Sequence, residues 1–253
     1  MFLLVVKALL APILLAACAF VAWKWGSAAG GWLLGLPLIS GPVSVFLFLE
    51  HGPLFAENAA RGTLLGMVAA GVFYAGYSRS SQGRRWWESL ALAAAACIAV
   101  AALLSRVRLD LTDTVLFAVV FLALIARSPR TADSGGAMPA PRFRSLVLNM
   151  AMASAIVVGV SVASGALGSQ MSGMLTTIPV ITAVVATSTH RSSGGGSART
   201  MLSGSVAGMW GGAAFFAVVG LMITVATPAL TYAAATAAAA AAAGLAGFGL
   251  RVG

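Results

Sequence analysis

Residues Gly31 to Gly52 read GWLLGLPLISGPVSVFLFLEHG. This stretch is apolar and about as long as the roughly 20 residues a helix needs to cross a bilayer. Gly35, Pro37, Gly41 and Pro42 fall in its middle, where proline removes a backbone donor and pushes away a carbonyl. The stretch ends in an acid and an imidazole, Glu50 and His51. A weaker copy, GMLTTIPVITAVVATSTH, runs from Gly173 to His190. A broken membrane helix that appears once in each half of a chain points to a transport site.

Composition agrees with a membrane protein. Sixty per cent of the 253 residues are hydrophobic and 8% are charged, against about a quarter charged in soluble domains. The mean hydropathy is +0.98. The formal net charge of +9 does not argue for a nucleic-acid partner, because the basic residues sit at the ends of apolar runs. There they set topology and meet lipid head groups. Cys18 and Cys97 both lie inside apolar runs, which suits small core residues rather than a disulfide or a metal site. Leu15-Ala16-Ala17-Cys18 has the look of a lipoprotein cleavage box, but the first cation, Lys7, lies within the apolar run instead of before it, so no processing is expected.

Hydropathy predicts an all-α polytopic protein of about nine transmembrane helices, near 2–22, 31–50, 62–78, 86–105, 110–127, 145–165, 170–189, 200–225 and 227–249. The stretch 128–144, rich in Pro, Gly and Ser, reads as a linker. Alternate loops divide the cations unequally. Lys24, Arg79, Arg84, Arg85, Arg127, Arg130, Arg142, Arg144, Arg191, Arg199 and Arg251 fall on one side, and Arg61, Arg106 and Arg108 on the other. The positive-inside rule then predicts an inner-membrane protein with its N-terminus outside and its C-terminus and linker in the cytoplasm.

An internal repeat is legible in the third spans, and the small-residue stripes beside it are packing features. Arg61-Gly62-Thr63-Leu64-Leu65-Gly66 can be laid on Arg199-Thr200-Met201-Leu202-Ser203-Gly204, which brings Pro42 near Pro179 and His51 near His190 when small gaps are allowed. Lys7 and Asn149 then hold similar places in the first span of each half. Separately, Gly62, Gly66 and Ala70 form a small-residue stripe that matches Gly204, Gly208 and Gly212, and such stripes let helices approach closely. The predicted organisation is four-plus-one-plus-four: a repeat over 1–109, a connector helix over 110–127, the linker over 128–144 and a second, inverted repeat over 145–253. Inverted repeats of this kind support alternating access.

The second half, from about Arg144, resembles the GlpM-like family of small bacterial membrane proteins, through Gly173, Pro179 and His190 followed by Arg199 to Gly204. The first half resembles it more faintly, through Gly35, Pro37, Pro42, His51 and Arg61. The resemblance implies a fused pair of four-span units, associated with exopolysaccharide (alginate) production. It brings in a second copy of the chain or an envelope-biosynthesis complex as candidate partners, besides the bilayer and a small or lipid-linked solute.

The candidate substrate-binding residues surround the breaks: Ser40, Gly41, Pro42 and Ser44 in the first half, Thr176, Thr177, Pro179 and Thr182 in the second. Half-helix N-termini present free N–H groups and a positive dipole end, which favour an anionic group. Ionisable residues near spans are candidates for gating or proton coupling: Glu50, His51, Arg61, His190, Arg199 and Lys7. Each also has a plainer reading as an interface residue, and Lys7 either snorkels outward or pairs with Glu50. No Walker A, HExxH, GxSxG or metal-ligand spacing is present, so neither an enzyme nor a cofactor is expected. The predicted function is a secondary transporter or permease for a small polar or anionic solute. The alternatives are a non-transporting subunit, or a lipid-linked carrier flippase, of an envelope polysaccharide pathway.

Overall fold

The computed structural model describes residues 16–38, 40–127 and 168–251, with residues 13, 147, 148, 150 and 151. The expected spans 2–22 and 145–165 therefore lie largely outside the described residues, as do Lys7, Asn149 and the linker. The rest is helical: α1 (Ser27–Gly35), α2 (Ser40–His51), α3 (Pro53–Ser80), α4 (Trp86–Leu104), α5 (Leu111–Ala126), α6 (Gly168–Thr176), α7 (Val180–Met222) and α8 (Pro228–Arg251). Ser27–His51, Pro53–Ser80, Trp86–Leu104, Ser169–Met222 and Pro228–Gly247 are each long and apolar enough to cross a membrane, and Leu111–Ala126 is a shorter apolar helix. The architecture is that of a helical membrane protein. The join between the last two expected spans is a true break, because residues 223–225 form a turn and 226–227 are not helical.

Two glycines divide long helical runs. Gly52 separates α2 from α3 with φ 83° and ψ −178°. Gly194 bends α7 into two arms, 180–193 and 195–222, with φ 86° and ψ 169°. This region of backbone space is essentially closed to residues carrying a Cβ, so glycine is required at both points.

The centre of the bundle is α3 against the second arm of α7. Phe73, Tyr77, Leu64, Leu202, Phe216 and Val219 are all buried there. The two helices run antiparallel. Ser81 lies against Gly195, where its Oγ donates to the Gly195 carbonyl at 3.2 Å, and Met67 meets Gly212 further along. On the outer helices Leu92, Ile98 and Leu103 of α4, Leu116 and Leu124 of α5, and Leu245 of α8 are exposed, as side chains facing lipid tails are.

The short helices cross over. α1 packs along α7, where a Cβ on Gly31 would overlap the Met201 carbonyl oxygen, and Cβ atoms on Gly204 and Gly208 would overlap those of Ala28 and Trp32. α6 packs along α3 in the same manner: Gly173 against Ala59, Gly62 against Gln170, Gly66 against Met174. Every one of these contacts recurs at a fixed spacing. Pro179 stands 142 positions after Pro37, and the same spacing separates Gly173 from Gly31, Gly194 from Gly52, Gly204 from Gly62, Gly208 from Gly66, and Pro228, which opens α8, from Trp86, which opens α4. Ser27 and Ser169, Leu33 and Leu175, Ala56 and Ala198, Met67 and Met209, and Phe73 and Phe215 are identical pairs at this spacing.

This register is the one set by the small-residue stripe. The Arg61–Arg199 match is one helical turn out of step: Arg61 corresponds to Ser203, and Arg199 to Glu57. The counterpart of Pro179 is Pro37, not Pro42. His51 corresponds to Ser193, not His190. The reason is packing. Gly at every fourth residue lets the backbones touch, and those contacts fix the register while charged ends are free to slide.

Candidate functional site

The two breaks have the same backbone construction. Around Pro37, the Leu36 N–H donates to Leu33 O (3.3 Å), the Leu38 N–H to Leu36 O (2.8 Å), and the Gly41 N–H to Pro37 O (2.8 Å). Around Pro179, the Ile178 N–H donates to Leu175 O (3.3 Å), the Val180 N–H to Ile178 O (2.7 Å), and the Ala183 N–H to Pro179 O (2.7 Å). Each proline is the centre of a three-residue turn, and Pro179, at φ −78° and ψ 51°, has the dihedrals of an inverse γ-turn. Proline suits this place because its φ is already set and it has no N–H to strand. Each turn stops one half-helix and starts the next.

Both turns line one cavity of about 150 Å³, walled by residues 33–38, Ser40 and residues 175–182, with Met67, Tyr74, Met209 and Phe216 from the central pair. Four half-helix ends therefore meet there: the C-termini of α1 and α6 and the N-termini of α2 and α7. No charged side chain is among the described lining residues. The polarity of the site comes from unwound backbone and hydroxyls. Thr176 Oγ1 donates to Gly173 O at 2.6 Å and Thr177 Oγ1 to Met174 O at 2.7 Å, so these hydroxyls help cap the C-terminal carbonyls of α6, with the Thr177 N–H also donating to Met174 O at 3.2 Å. Thr182 Oγ1 lies 3.3 Å from the Tyr74 hydroxyl.

Of the residues singled out from sequence, Ser40, Thr176, Thr177, Pro179 and Thr182 line this cavity. Gly41, Pro42 and Ser44 are not among its lining residues. Gly41 is buried, and a Cβ added to it would stand 3.5 Å from the Phe215 ring. Pro42 is exposed and sits in the first turn of α2, where a helix tolerates proline without a break. Ser44 is buried against α8: the Tyr232 hydroxyl donates to Ser44 O at 2.9 Å. With that proton committed, the Ser44 hydroxyl donates to the Tyr232 oxygen at 3.2 Å.

The ionisable candidates lie away from the cavity, at the two ends of the bundle. Glu50 and His51 are exposed at the Gly52 end, 3.8 Å apart, with the His51 ring 4.4 Å from that of Phe55. Arg61 is at the same end and holds a loop: its Nη1 donates to Leu109 O at 3.2 Å and its Nη2 to Asn58 Oδ1 at 2.7 Å. His190 is at the Gly194 end, its Nδ1 3.2 Å from the Tyr77 hydroxyl. Arg199 lines a separate groove.

Sequence reasoning missed Cys18, Pro37, Met67, Tyr74, Met209 and Phe216 as cavity residues. Pro37 was recoverable from its spacing to Pro179. Met67 with Met209, and Tyr74 with Phe216, sit at the same interval.

Comparison of the chain with family models, with curated proteins and with solved structures finds no match.

Proposed function

We propose that this protein is an inner-membrane secondary transporter, or transporter-like permease, built as an inverted repeat, and that it binds a small polar or anionic solute in the cavity between Pro37 and Pro179. The observation that carries the reading is the convergence of two equivalent helix breaks on one cavity. Breaks in lipid must be satisfied by protein, water or ligand, and opposed half-helix ends supply dipoles for an anionic group and carbonyls for a counter-ion. The inversion is supported by the antiparallel pairing of α3 with the second arm of α7, which are equivalent at the 142-residue interval. Two equivalent halves of opposite direction can exchange conformations and open the same site first to one side and then to the other.

The bilayer orientation follows from charge. Arg79, Arg84, Arg85, Arg127, Arg191 and Arg199 gather at the Gly194 end, while Arg61, Arg106 and Arg108 share the Gly52 end with Glu50, Glu57, Asp110 and Asp113. The Gly194 end is the cytoplasmic one on this count. The resemblance of each half to GlpM-like proteins would imply a fused pair of half-size units.

The test has two parts on the purified chain. A screen of solutes by thermal unfolding finds the one that stabilises the fold, since a ligand of the native state must do so. That solute is then followed into proteoliposomes by counterflow. Ala70→Trp, which fills the cavity from α3, abolishes both effects on this reading. Stabilisation and uptake that survive Ala70→Trp would place the site elsewhere. A fold that no solute class stabilises would favour a non-transporting envelope subunit.

A further inference from the structure

The groove that holds Arg199 has a separate chemistry. It opens between α3, α5, the second arm of α7 and α8, at the Gly194 end, and encloses about 220 Å³. Arg79 and Arg199 lie along it, from α3 and α7. Leu202, Val206 and Trp210 from α7 and Ile125 from α5 form an apolar strip along it, with Tyr74, Ser78 and Ser203 adding hydroxyls beside the arginines. Leu245 of α8 borders it and is 77% exposed. The groove thus pairs two guanidinium groups with an apolar channel open to the side of the bundle.

The duplicated fold supplies an internal control. At the 142-residue interval Arg79 corresponds to Leu221, and Arg199 to Glu57. The matching position at the Gly52 end is closed by α5, whose Leu111 packs against Gly220. Among the described residues the Gly52 end thus has neither the open groove nor the paired cations. Only one end has them, and it is the end where arginine is concentrated. Basic pockets between membrane helices on that side suit anionic lipid head groups, and arginine binds phosphate through paired, charge-assisted hydrogen bonds.

We propose that this groove is a binding site for one anionic phospholipid, with its phosphate on Arg79 and Arg199 and an acyl chain lying along Trp210, Val206 and Leu245. The lipid would brace α8 and α5 against the central pair.

The test uses the full chain in detergent micelles doped with phosphatidylglycerol or phosphatidylcholine. Phosphatidylglycerol should raise the unfolding midpoint well above the value in phosphatidylcholine. The double variant Arg79→Gln/Arg199→Gln should weaken the apparent lipid affinity by about tenfold or more, the scale of losing a charge-assisted hydrogen bond. The control Arg106→Gln/Arg108→Gln, at the other end, should retain it. Native mass spectrometry of the unmutated chain, which should retain phosphatidylglycerol over phosphatidylcholine, decides the matter if the double variant does not fold. Equal stabilisation or retention of the two lipids, or an equal loss in the control, overturns the proposal. Inorganic phosphate matching the effect of phosphatidylglycerol also overturns it, in favour of a free-anion site.

Discussion

Replacing Gly204 by Ala adds one methyl group where the Ala28 carbonyl oxygen already stands, and replacing Gly62 by Ala does the same against Gln170 O. The obstruction is backbone, so it does not yield by a rotamer change. Helix propensity favours the substitution by about 1 kcal/mol, and overpacking opposes it by about 1–3 kcal/mol or more. Because a rigid carbonyl is the obstacle, the upper part of that range applies, and each variant should lose about 1–2 kcal/mol net. Met67 meets Gly212, so Gly62 and Gly204 are about 20 Å apart along the antiparallel pair at 1.5 Å per residue. Their losses should then add to within about 0.5 kcal/mol in the double variant. Gly244→Ala is the reference, because a Cβ there meets nothing within 4 Å, and it should be neutral or slightly stabilising. The assay is reversible unfolding in mixed micelles by denaturing-detergent titration, read by helicity. If Gly62→Ala and Gly204→Ala are as harmless as Gly244→Ala, the close approach of α1 to α7 and of α6 to α3 is wrong, and the repeat register with it.

Three further outcomes are expected. Trp32→Phe removes the bond from the indole Nε1 to Ala243 O at 3.0 Å and should cost about 0.6–1 kcal/mol in the same titration, the size of an interhelical hydrogen bond in a membrane. Pro37→Ala and Pro179→Ala restore an N–H at each break and should each reduce solute-dependent thermal stabilisation by similar factors; a large effect at one proline alone would count against a shared site. A cysteine placed at Gly83, in the turn after α3, should react only with membrane-permeant thiol reagents in intact cells, while one at Glu57 should react with impermeant ones.

The helices at the centre of the bundle were legible because period and composition decide them: continuous apolar runs closed by arginine or tryptophan leave little choice. The register of the repeat was legible only in part. Small residues recur every four positions from Gly62 and again from Gly204, so a slip of one turn keeps most small residues aligned. The Arg61–Arg199 coincidence then selected the slipped alignment. A charge at a helix end has water to move into, whereas Gly31, Gly62, Gly173 and Gly204 touch backbone and do not slide. Pro42 misled for a related reason. Its spelling, Ser-Gly-Pro, looks like a break, yet a proline in the first turn of a helix sits where N–H groups are unpaired anyway. Pro37 is the one that interrupts. Tyr74 and Met67 carried no local signal, since a cavity wall facing two remote breaks is written across the chain and not along it.

Among the described residues the 142-residue correspondence is not complete, and the differences are directional. Tyr74 and Tyr77 on α3, and Ser81 at its C-terminal cap, hydrogen-bond to Thr182, His190 and Gly195 on α7. The residues 142 positions after the first three are Phe216, Val219 and Ile223, whose side chains have no donor to offer. On the proposed exchange between halves, opening the Gly194 end breaks these bonds, and closing the Gly52 end gains no matching set. At about 1 kcal/mol each, the bonds bias the protein toward a closed Gly194 end by a few kcal/mol, which leaves the opposite conformation a minor one. Tyr77→Phe removes one bond and leaves the ring packing in place. It should raise the minor population about fivefold, the factor for 1 kcal/mol. The readout is reactivity of a cysteine at Thr182 toward a small thiol reagent applied from the arginine-rich side in inside-out vesicles. An increase in the Tyr77→Phe background supports the bias, and an unchanged or slower reaction refutes it.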